Sequence, residues 1–235
     1  MTTTKTVTYT DSDIHDLAAR FETSSLKETL KWAFANFAPR IAMTSSFGAE
    51  GVVLIDHLAK LDLQLPVIYL DTGFHFPETH TLTDRLQERY KLEIRAQEPG
   101  ISIEEQDEKY GEKLYKTDPD TCCSLRKVEP LKQALQGLDA WLVALRRDQS
   151  PSRANIKIVE WNAKHNLVKI NPLARWTRKD IWDYTLKHKL PYNELYDEGY
   201  ASIGCFPCTK KINAGQHERS GRWVGQGKVE CGIHL

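Results

Sequence analysis

Short aliphatic runs alternate with longer stretches of helical periodicity along the first 145 residues of the chain. The runs are rich in aliphatic and β-branched residues and are typical of buried strands; they lie at 41–46, 66–72, 92–97 and 140–145. Between the runs, apolar residues recur every three or four positions, which predicts helices at 51–61, 76–90 and 128–138. This alternation predicts an α/β fold, a mainly parallel sheet with helices on both faces.

The pattern changes after residue 150. Two β-rich segments at 156–162 and 167–174 predict a strand pair. A helix should follow, with Thr177 as its N-cap and Asp180 in a weak form of the capping box. Residues 191–235 carry glycines, charges and three of the five cysteines, so we expect a loop-rich C-terminal segment.

Length and charge limit the classes of protein that this chain can be. Its 235 residues suffice for one domain, which we take as 1–235 with an N-terminal extension at 1–24 and a mobile C-terminal tail at 210–235. Lys and Arg together number 32, as do Asp and Glu, and this balance argues against a nonspecific nucleic-acid or membrane binder. No signal peptide, transit peptide or membrane span is evident, so we expect a cytoplasmic protein.

Two predicted strands end in loops suited to a ligand. The first strand is followed by SSFGAEG (45–51) and the second by LDTGFHFPET (70–79). In open α/β sheets, ligands bind beyond the carboxyl ends of the strands, and helix N-termini there attract anions. Neither loop matches GxxxxGK[ST] or GxGxxG, so the two commonest nucleotide fingerprints are absent.

The five cysteines form an unusual group. Cys122 and Cys123 are adjacent, and Cys205 and Cys208 form a CxxC about eighty residues later. Neighbouring cysteines fit one small tetrahedral zinc poorly, whereas an iron–sulfur cluster offers separate corners, so the grouping favours a cluster. Cys231 is left as a free thiol near the C-terminus, which would suit a nucleophile.

Basic residues accompany these motifs in a chain without net charge. Arg126 and Lys127 follow the cysteine pair, and Arg219 and Arg222 precede Cys231. A further set, Arg146, Arg147 and Arg153, follows the fourth predicted strand. Singly, each suits a solvated surface. Together they indicate a substrate that carries phosphate or sulfate.

Seven ordered motifs resemble the assimilatory adenylyl-sulfate reductases, iron–sulfur members of the phosphoadenylyl-sulfate reductase family. They span about 41–235 and read SSFGAEG, LDTGFHFPET, TCCSLRKVEPL, ALRRDQSPSR, NPLARWTRKDIWDY, LPYNELYDEGYASIGCFPCT and ECGIHL. The resemblance implies an adenine-nucleotide alpha-hydrolase-like fold and thiol-dependent reduction of adenylyl sulfate to sulfite and AMP. It implies Cys231 as the nucleophile and a [4Fe–4S] cluster on Cys122, Cys123, Cys205 and Cys208.

The resemblance also implies the substrate contacts and the electron donor. The phosphosulfate should meet Lys127, Arg219 and Arg222, with Arg153 as a fourth cation. The nucleotide should contact Ser45, Ser46, Gly48, Leu70, Asp71 and Gly73. No thioredoxin-like segment follows within the sequence, so we expect electrons from a separate protein, thioredoxin or glutaredoxin. The sequence leaves homo-oligomer formation open, and we expect a positioning role, if any, for His234.

Three other functions remain as alternatives. A phosphoadenylyl-sulfate reductase or a dual-substrate enzyme would use the same chemistry on the 3′-phosphorylated substrate. A tRNA sulfur-transfer enzyme of the related ATP-pyrophosphatase group should carry an SGGxDS loop, whereas this chain has SSFGAEG. A zinc-stapled binding module without catalysis would hold zinc and show no visible absorbance.

Overall fold

The computed structural model describes residues 9–234 and contains one six-stranded sheet. The strand order is β3-β2-β1-β4-β6-β5, and only β5 runs antiparallel to its neighbour. The strands are β1 (Ile41–Thr44), β2 (Val67–Leu70), β3 (Ile94–Gln97), β4 (Ala140–Val143), β5 (Val159–Asn162) and β6 (Leu167–Ile170). The predicted fold class and the predicted strand pair are confirmed.

Nine α-helices occur in the described residues, most of them between strands. They are α1 (Asp11–Thr23), α2 (Leu26–Phe37), α3 (Ala49–Lys60), α4 (Pro77–Tyr90), α5 (Ile103–Tyr110), α6 (Leu114–Thr117), α7 (Pro119–Cys123), α8 (Glu129–Ala134) and α9 (Arg178–Lys187). The capping box of α9 is as predicted: the Asp180 N–H donates to Thr177 Oγ1 at 3.2 Å, and the Thr177 N–H donates to the Asp180 carboxylate at 2.8 Å.

The helix predicted at 128–138 differs from the observed one. Helical structure begins at Pro119 and ends at Ala134, and α7 joins α8 through a π-helical segment, Ser124–Val128. Pro130, expected near the helix start, lies inside this run. Because proline has no N–H, the carbonyl of Arg126 four residues earlier loses its usual donor, and the helix widens just before that point. Cys123 directly precedes this irregular turn, and Lys127 lies within it.

The main core packs helices against the sheet. Central strand residues such as Ala42, Met43 and Leu142 have no exposed surface. Helix α1, inside the N-terminal extension, contacts β5 and buries Phe21 against Trp32, with ring centroids 4.5 Å apart. Residues 1–8 of that extension and Leu235 lie outside the described residues. In the part of the chain that is described, no helix has the length and apolar character needed to cross a bilayer.

The segment after α9 contains only short 3-10 turns and an isolated bridge between Thr209 and Arg222. Its last residues fold back over the carboxyl ends of the central strands. Ile233 packs on an apolar cluster that includes Leu131 and Trp141. The loop after β1, the end of β2 and residues 230–234 therefore meet at one edge of the sheet.

Candidate active site

One cleft at this edge gathers most of the predicted site residues. Its lining includes Ser45, Ser46, Gly48, Leu70, Lys127, Arg153, Arg219, Arg222 and Cys231. They come from positions up to 186 residues apart in the chain, from Ser45 to Cys231. The fold thus converts scattered motifs into a single concave site, as expected for the strand ends of an open α/β sheet.

Asp71 and Gly73 do not line the cleft. Asp71 Oδ1 accepts a hydrogen bond from the Gly73 N–H at 3.0 Å, which closes a tight turn after β2. Gly73 has a φ of +71°, and a Cβ there would lie 3.2 Å from Ile103 Cδ1. The structure therefore gives these two residues a role in shaping the loop.

The loop after β1 directs the N-terminus of α3 at the cleft. Ser45 Oγ accepts from the Phe47 N–H at 2.9 Å, and a Cβ on Gly51 would lie 2.4 Å from that oxygen. Glycine is therefore needed at position 51 for the close approach. No side chain caps α3, whose N-cap is Gly48. Helix N-termini of this kind attract anionic groups of ligands.

Glu230 binds two of the four predicted cations. Its carboxylate accepts from Arg153 Nε at 2.8 Å and from Arg153 Nη2 at 2.7 Å. Arg219 Nη2 donates to the same carboxylate at 3.0 Å. Burial raises the pKa of Glu230, but the hydrogen bonds and charges of the arginines outweigh this effect and hold the pKa below its usual value. Glu230 is therefore a buried carboxylate anion directly beside Cys231.

The other two cations have no carboxylate partner among the described residues. Arg222 lies over the Trp223 ring at 4.6 Å and extends its guanidinium to Gly204, where a Cβ would be 2.3 Å from Nη2. Burial lowers the pKa of Lys127, but the neighbouring sulfurs of Cys205 and Cys231 outweigh it and raise the pKa. Lys127 and Arg222 are thus charged groups available to an anion in the cleft.

Four cysteines line a second, smaller cavity behind Lys127. They are Cys122, Cys123, Cys205 and Cys208, and none of the four is in a disulfide. Burial raises the pKa of Cys122 to about 12 and that of Cys123 to about 11. Thr72 Oγ1 lies 3.3 Å from Cys205 Sγ. Within residues 9–234, no group of three or more His, Cys, Asp and Glu side chains is arranged to hold a metal ion.

Arg146 forms an ion cluster that sequence reasoning did not identify. The pattern of paired arginines suggested a substrate anion, but the Arg146 side chain is fully buried and binds Glu50, Asp148 and Glu218. Its Nη2 donates to both Glu218 oxygens at 2.9 Å. Burial raises the pKa of Glu218, and Arg146 offsets this only in part. The cluster ties the loops after β1 and β4 to the C-terminal segment.

Two histidines in the cleft are neutral by virtue of burial. Burial lowers the pKa of His75 to about 4, and its Nε2–H donates to the Leu70 carbonyl at 2.9 Å. His234 stacks on Trp141 with ring centroids 5.5 Å apart, and burial lowers its pKa well below the usual value. Lys169 Nζ donates to the His234 carbonyl at 3.4 Å. These contacts hold the residues that follow Cys231 against the sheet.

Several curated proteins are similar in sequence to this chain over most of its length. Adenosine 5'-phosphosulfate reductase of Geobacillus kaustophilus (strain HTA426) is 45% identical over 91% of this chain and 92% of its own length. Adenosine 5'-phosphosulfate reductase 1 of Bacillus subtilis (strain 168) is 48% identical over 87% of this chain and 88% of its own length. These relatives confirm the resemblance found in the motifs.

Solved structures agree with the fold. Phosphoadenylyl-sulfate (PAPS) reductase from Candida auris, in its phosphate complex, matches with a TM-score of 0.78 and 30% identity over 88% of this chain and 100% of that one. FMN adenylyltransferase of Candida glabrata matches with a TM-score of 0.60 over 89% of this chain and 73% of that chain. Because the two sequences are 17% identical, this match supports the fold alone. A protein-family model, that of the phosphoadenosine phosphosulfate reductase domain, matches residues 40–211. Together with the relatives above, this match shows that the chain belongs to the phosphoadenosine phosphosulfate reductase family.

Proposed function

We propose that this enzyme reduces adenylyl sulfate to sulfite and AMP, in assimilatory sulfate reduction and cysteine biosynthesis. The observation that carries the proposal is that Cys231 lines one cleft together with the first turn of α3 and with Lys127 and Arg222, two cations that have no carboxylate partner among the described residues. Both relatives reported above are named for adenosine 5'-phosphosulfate, which favours this substrate over its 3′-phosphorylated form.

The reaction divides into two displacements at sulfur. The Cys231 thiolate attacks the sulfur of the phosphosulfate, the bond from that sulfur to the bridging oxygen breaks, and AMP leaves with the electron pair. Cys231 then carries an S-sulfonate. A thiolate of an external dithiol attacks Cys231 Sγ, sulfite leaves with the electron pair of the S–S bond, and the second donor thiol resolves the mixed disulfide. The donor is oxidised to a disulfide, and Cys231 returns as a thiolate.

Cations in the cleft make the first displacement feasible. A thiolate that approaches a phosphosulfate is an anion approaching an anion, so positive charge must offset the repulsion. Lys127 and Arg222 have no carboxylate partner among the described residues to offset their charge, and the first turn of α3 lines the same cleft. The nucleotide then lies along Ser45, Ser46, Gly48 and Leu70.

The second displacement requires that the electron-donor protein can reach Cys231. Thioredoxin or glutaredoxin is too large to enter the cleft, so the residues around Cys231 must leave the sheet before the intermediate can be reduced. A dithiol of this kind is kept reduced in the cytoplasm, where we place the enzyme.

A test of this proposal needs only the first displacement. Protein purified without oxygen is mixed with adenylyl sulfate in the absence of a reductant, and the intact mass is measured. We expect a gain of one sulfonate, which peptide mapping assigns to Cys231. An adduct formed only from the 3′-phosphorylated nucleotide would change the substrate but keep the chemistry, and no adduct from either nucleotide would contradict the proposed function.

We further propose that the four-cysteine cavity holds a [4Fe–4S] cluster. Four thiols without disulfide partners line one cavity, and the adjacent Cys122 and Cys123 suit separate corners of a cluster better than one tetrahedral zinc ion. Bound there, the cluster would supply a fixed charge and structural order behind Lys127. Lys127 lines both this cavity and the cleft, so it lies between the two sites.

Replacing one cluster ligand tests the cofactor independently of activity. Cys208→Ser is expected to remove most of the visible iron–sulfur absorbance and most of the iron that copurifies with the protein. Cys231→Ser is the matched control and should retain both, because Cys231 lines the other cavity. Bound zinc, or full absorbance in Cys208→Ser, would show that these cysteines do not hold the proposed cluster.

A further inference from the structure

Glu230 stands directly before Cys231, and its side chain is more deeply buried than that of any other residue in the last five described positions, 230–234. Only 6% of Glu230 is exposed. Long acidic side chains are almost never buried to this degree unless they are paired. Four side chains surround its carboxylate: besides Arg153 and Arg219, the hydroxyls of Ser150 and Ser152 donate to Oε1 at 3.1 and 3.0 Å.

We propose that Glu230 is a positioning residue, which fixes the Cys231 thiol in the cleft by anchoring its backbone to Arg153 and Arg219. This inference rests on the proposed function for the role of Cys231. It adds that Arg153 acts through Glu230, and that Lys127 and Arg222 are the cations that receive the phosphosulfate.

The contacts of Arg153 support its assignment to Glu230 and not to the substrate. Its Nε and Nη2 both bind the Glu230 carboxylate in a bidentate pair, and its Nη1 donates to Gln149 Oε1 at 2.5 Å. Each nitrogen of the guanidinium therefore already has a protein partner. A bidentate arginine–carboxylate pair fixes direction as well as distance. Arg153 is the buried residue of the 3-10 turn Pro151–Arg153, so the pair ties the C-terminal segment to the loop that follows β4.

Arg219 adds a second tie from within the C-terminal segment. Its Nη2 donates both to the Glu230 carboxylate and to the Val229 carbonyl, at 3.0 and 2.8 Å. Burial and the nearby Arg153 lower the pKa of Arg219 to about 10, and the charge of Glu230 works against this shift. Two adjacent arginines would repel each other in this cavity without the carboxylate between them. The Glu230 carboxylate therefore stabilises the close approach of Arg153 and Arg219.

The chain on the far side of Cys231 is held separately. Gly232, at a φ of +85°, reverses the chain next to Val128, and Ile233 and His234 then pack on the sheet. Cys231 therefore lies between two anchors. The first is the buried Glu230 carboxylate before it, and the second is the apolar contact of Ile233 and His234 after it. Breaking the first anchor should leave the second in place. The thiol would then move relative to the substrate while the fold and the anion site remain.

The test compares Glu230→Gln and Glu230→Ala with wild-type protein in single-turnover sulfonation by adenylyl sulfate. Glu198→Gln, which removes an exposed carboxylate paired with Lys211, is the control. We expect Glu230→Ala to slow the maximal sulfonation rate by about tenfold or more, because small displacements of a reacting group are costly. KM should change by less than about threefold, since Lys127 and Arg222 are untouched. Glu230→Gln keeps the shape and some hydrogen bonds, so its loss should be smaller.

Hydrogen exchange gives a readout that does not depend on activity. Amides of 229–231 should exchange faster in Glu230→Ala and in Arg153→Met, and the double variant should be no worse than either single one, because both remove the same anchor. If KM rises and the maximal rate holds, Glu230 serves the substrate site, and the inference is wrong. Unchanged exchange and rate would also overturn it. If Cys231 is never sulfonated in wild-type protein, the proposed function fails, whereas the exchange result still decides whether Glu230 anchors the segment.

Discussion

Cys231→Ser is expected to abolish sulfite production, with a loss of activity of about a thousandfold or more, as for the removal of other covalent nucleophiles. A serine hydroxyl keeps the shape of the side chain, but it stays protonated near neutral pH and is a far weaker nucleophile than a thiolate. The measurement is sulfite release from adenylyl sulfate in the presence of a reduced dithiol protein. The same variant should fail to gain a sulfonate in the intact-mass experiment.

Binding and structure should survive this substitution. Cys231 makes no hydrogen bond through its side chain among the described contacts, and Glu230 and Ile233 hold the backbone on either side. We therefore expect AMP affinity and the unfolding midpoint to match those of the wild-type protein. Normal sulfite release by Cys231→Ser would remove the thiol from the mechanism, and a loss of AMP binding would mean that the substitution had disturbed the cleft itself.

Arg146→Met is expected to lower the free energy of unfolding by about 3–5 kcal/mol, the usual cost of leaving buried charges without their partner. Glu50, Asp148 and Glu218 would then lose their shared cation. Only Glu218 would keep another one, Arg178, whose Nε lies 3.8 Å from Oε2. Urea unfolding at pH 7 measures the loss. The deficit should shrink as the pH is lowered, because burial already raises the pKa of Glu218 and its protonation removes part of the repulsion.

The neighbouring residue supplies the matched control. Arg147 is an arginine on the same loop, but it pairs with the half-exposed Glu22. Because partly exposed ion pairs contribute about 1 kcal/mol or less, Arg147→Met should cost much less than Arg146→Met. Equal losses for the two variants would show that the ion cluster around Arg146 is no more important for stability than an ordinary surface pair.

The sheet was predictable because its strands are short, buried and separated by helices of clear periodicity. The six runs of aliphatic residues lie where strands occur, and the Thr177 capping box marks the start of α9. The helix around Pro130 was predicted less well. Its start at Pro119 accompanies the packing of the cysteine pair into a cavity shared with Cys205 and Cys208, and that contact joins residues more than eighty positions apart.

The sequence predicted which residues line the candidate site better than it predicted which charged residues pair with one another. Motifs indicated which loops would meet, and Lys127, Arg222 and Cys231 do lie in one cleft. Sequence alone could not show that Arg146 and Arg153 face carboxylates rather than solvent or substrate, because their partners lie 72 and 77 residues away, at Glu218 and Glu230. Charge partners of this kind are set by tertiary structure, and no local pattern reports them.

The contact between Gly204 and Arg222 makes the charge of the cleft depend on a residue that has no side chain. A methyl group at position 204 would overlap the guanidinium, and the flexible end of Arg222 would give way before the backbone did. The two positions therefore constrain each other during evolution. A family member can acquire a side chain at 204 only by moving or losing the arginine at 222, so a change that looks conservative in an alignment would redistribute the positive charge of the site.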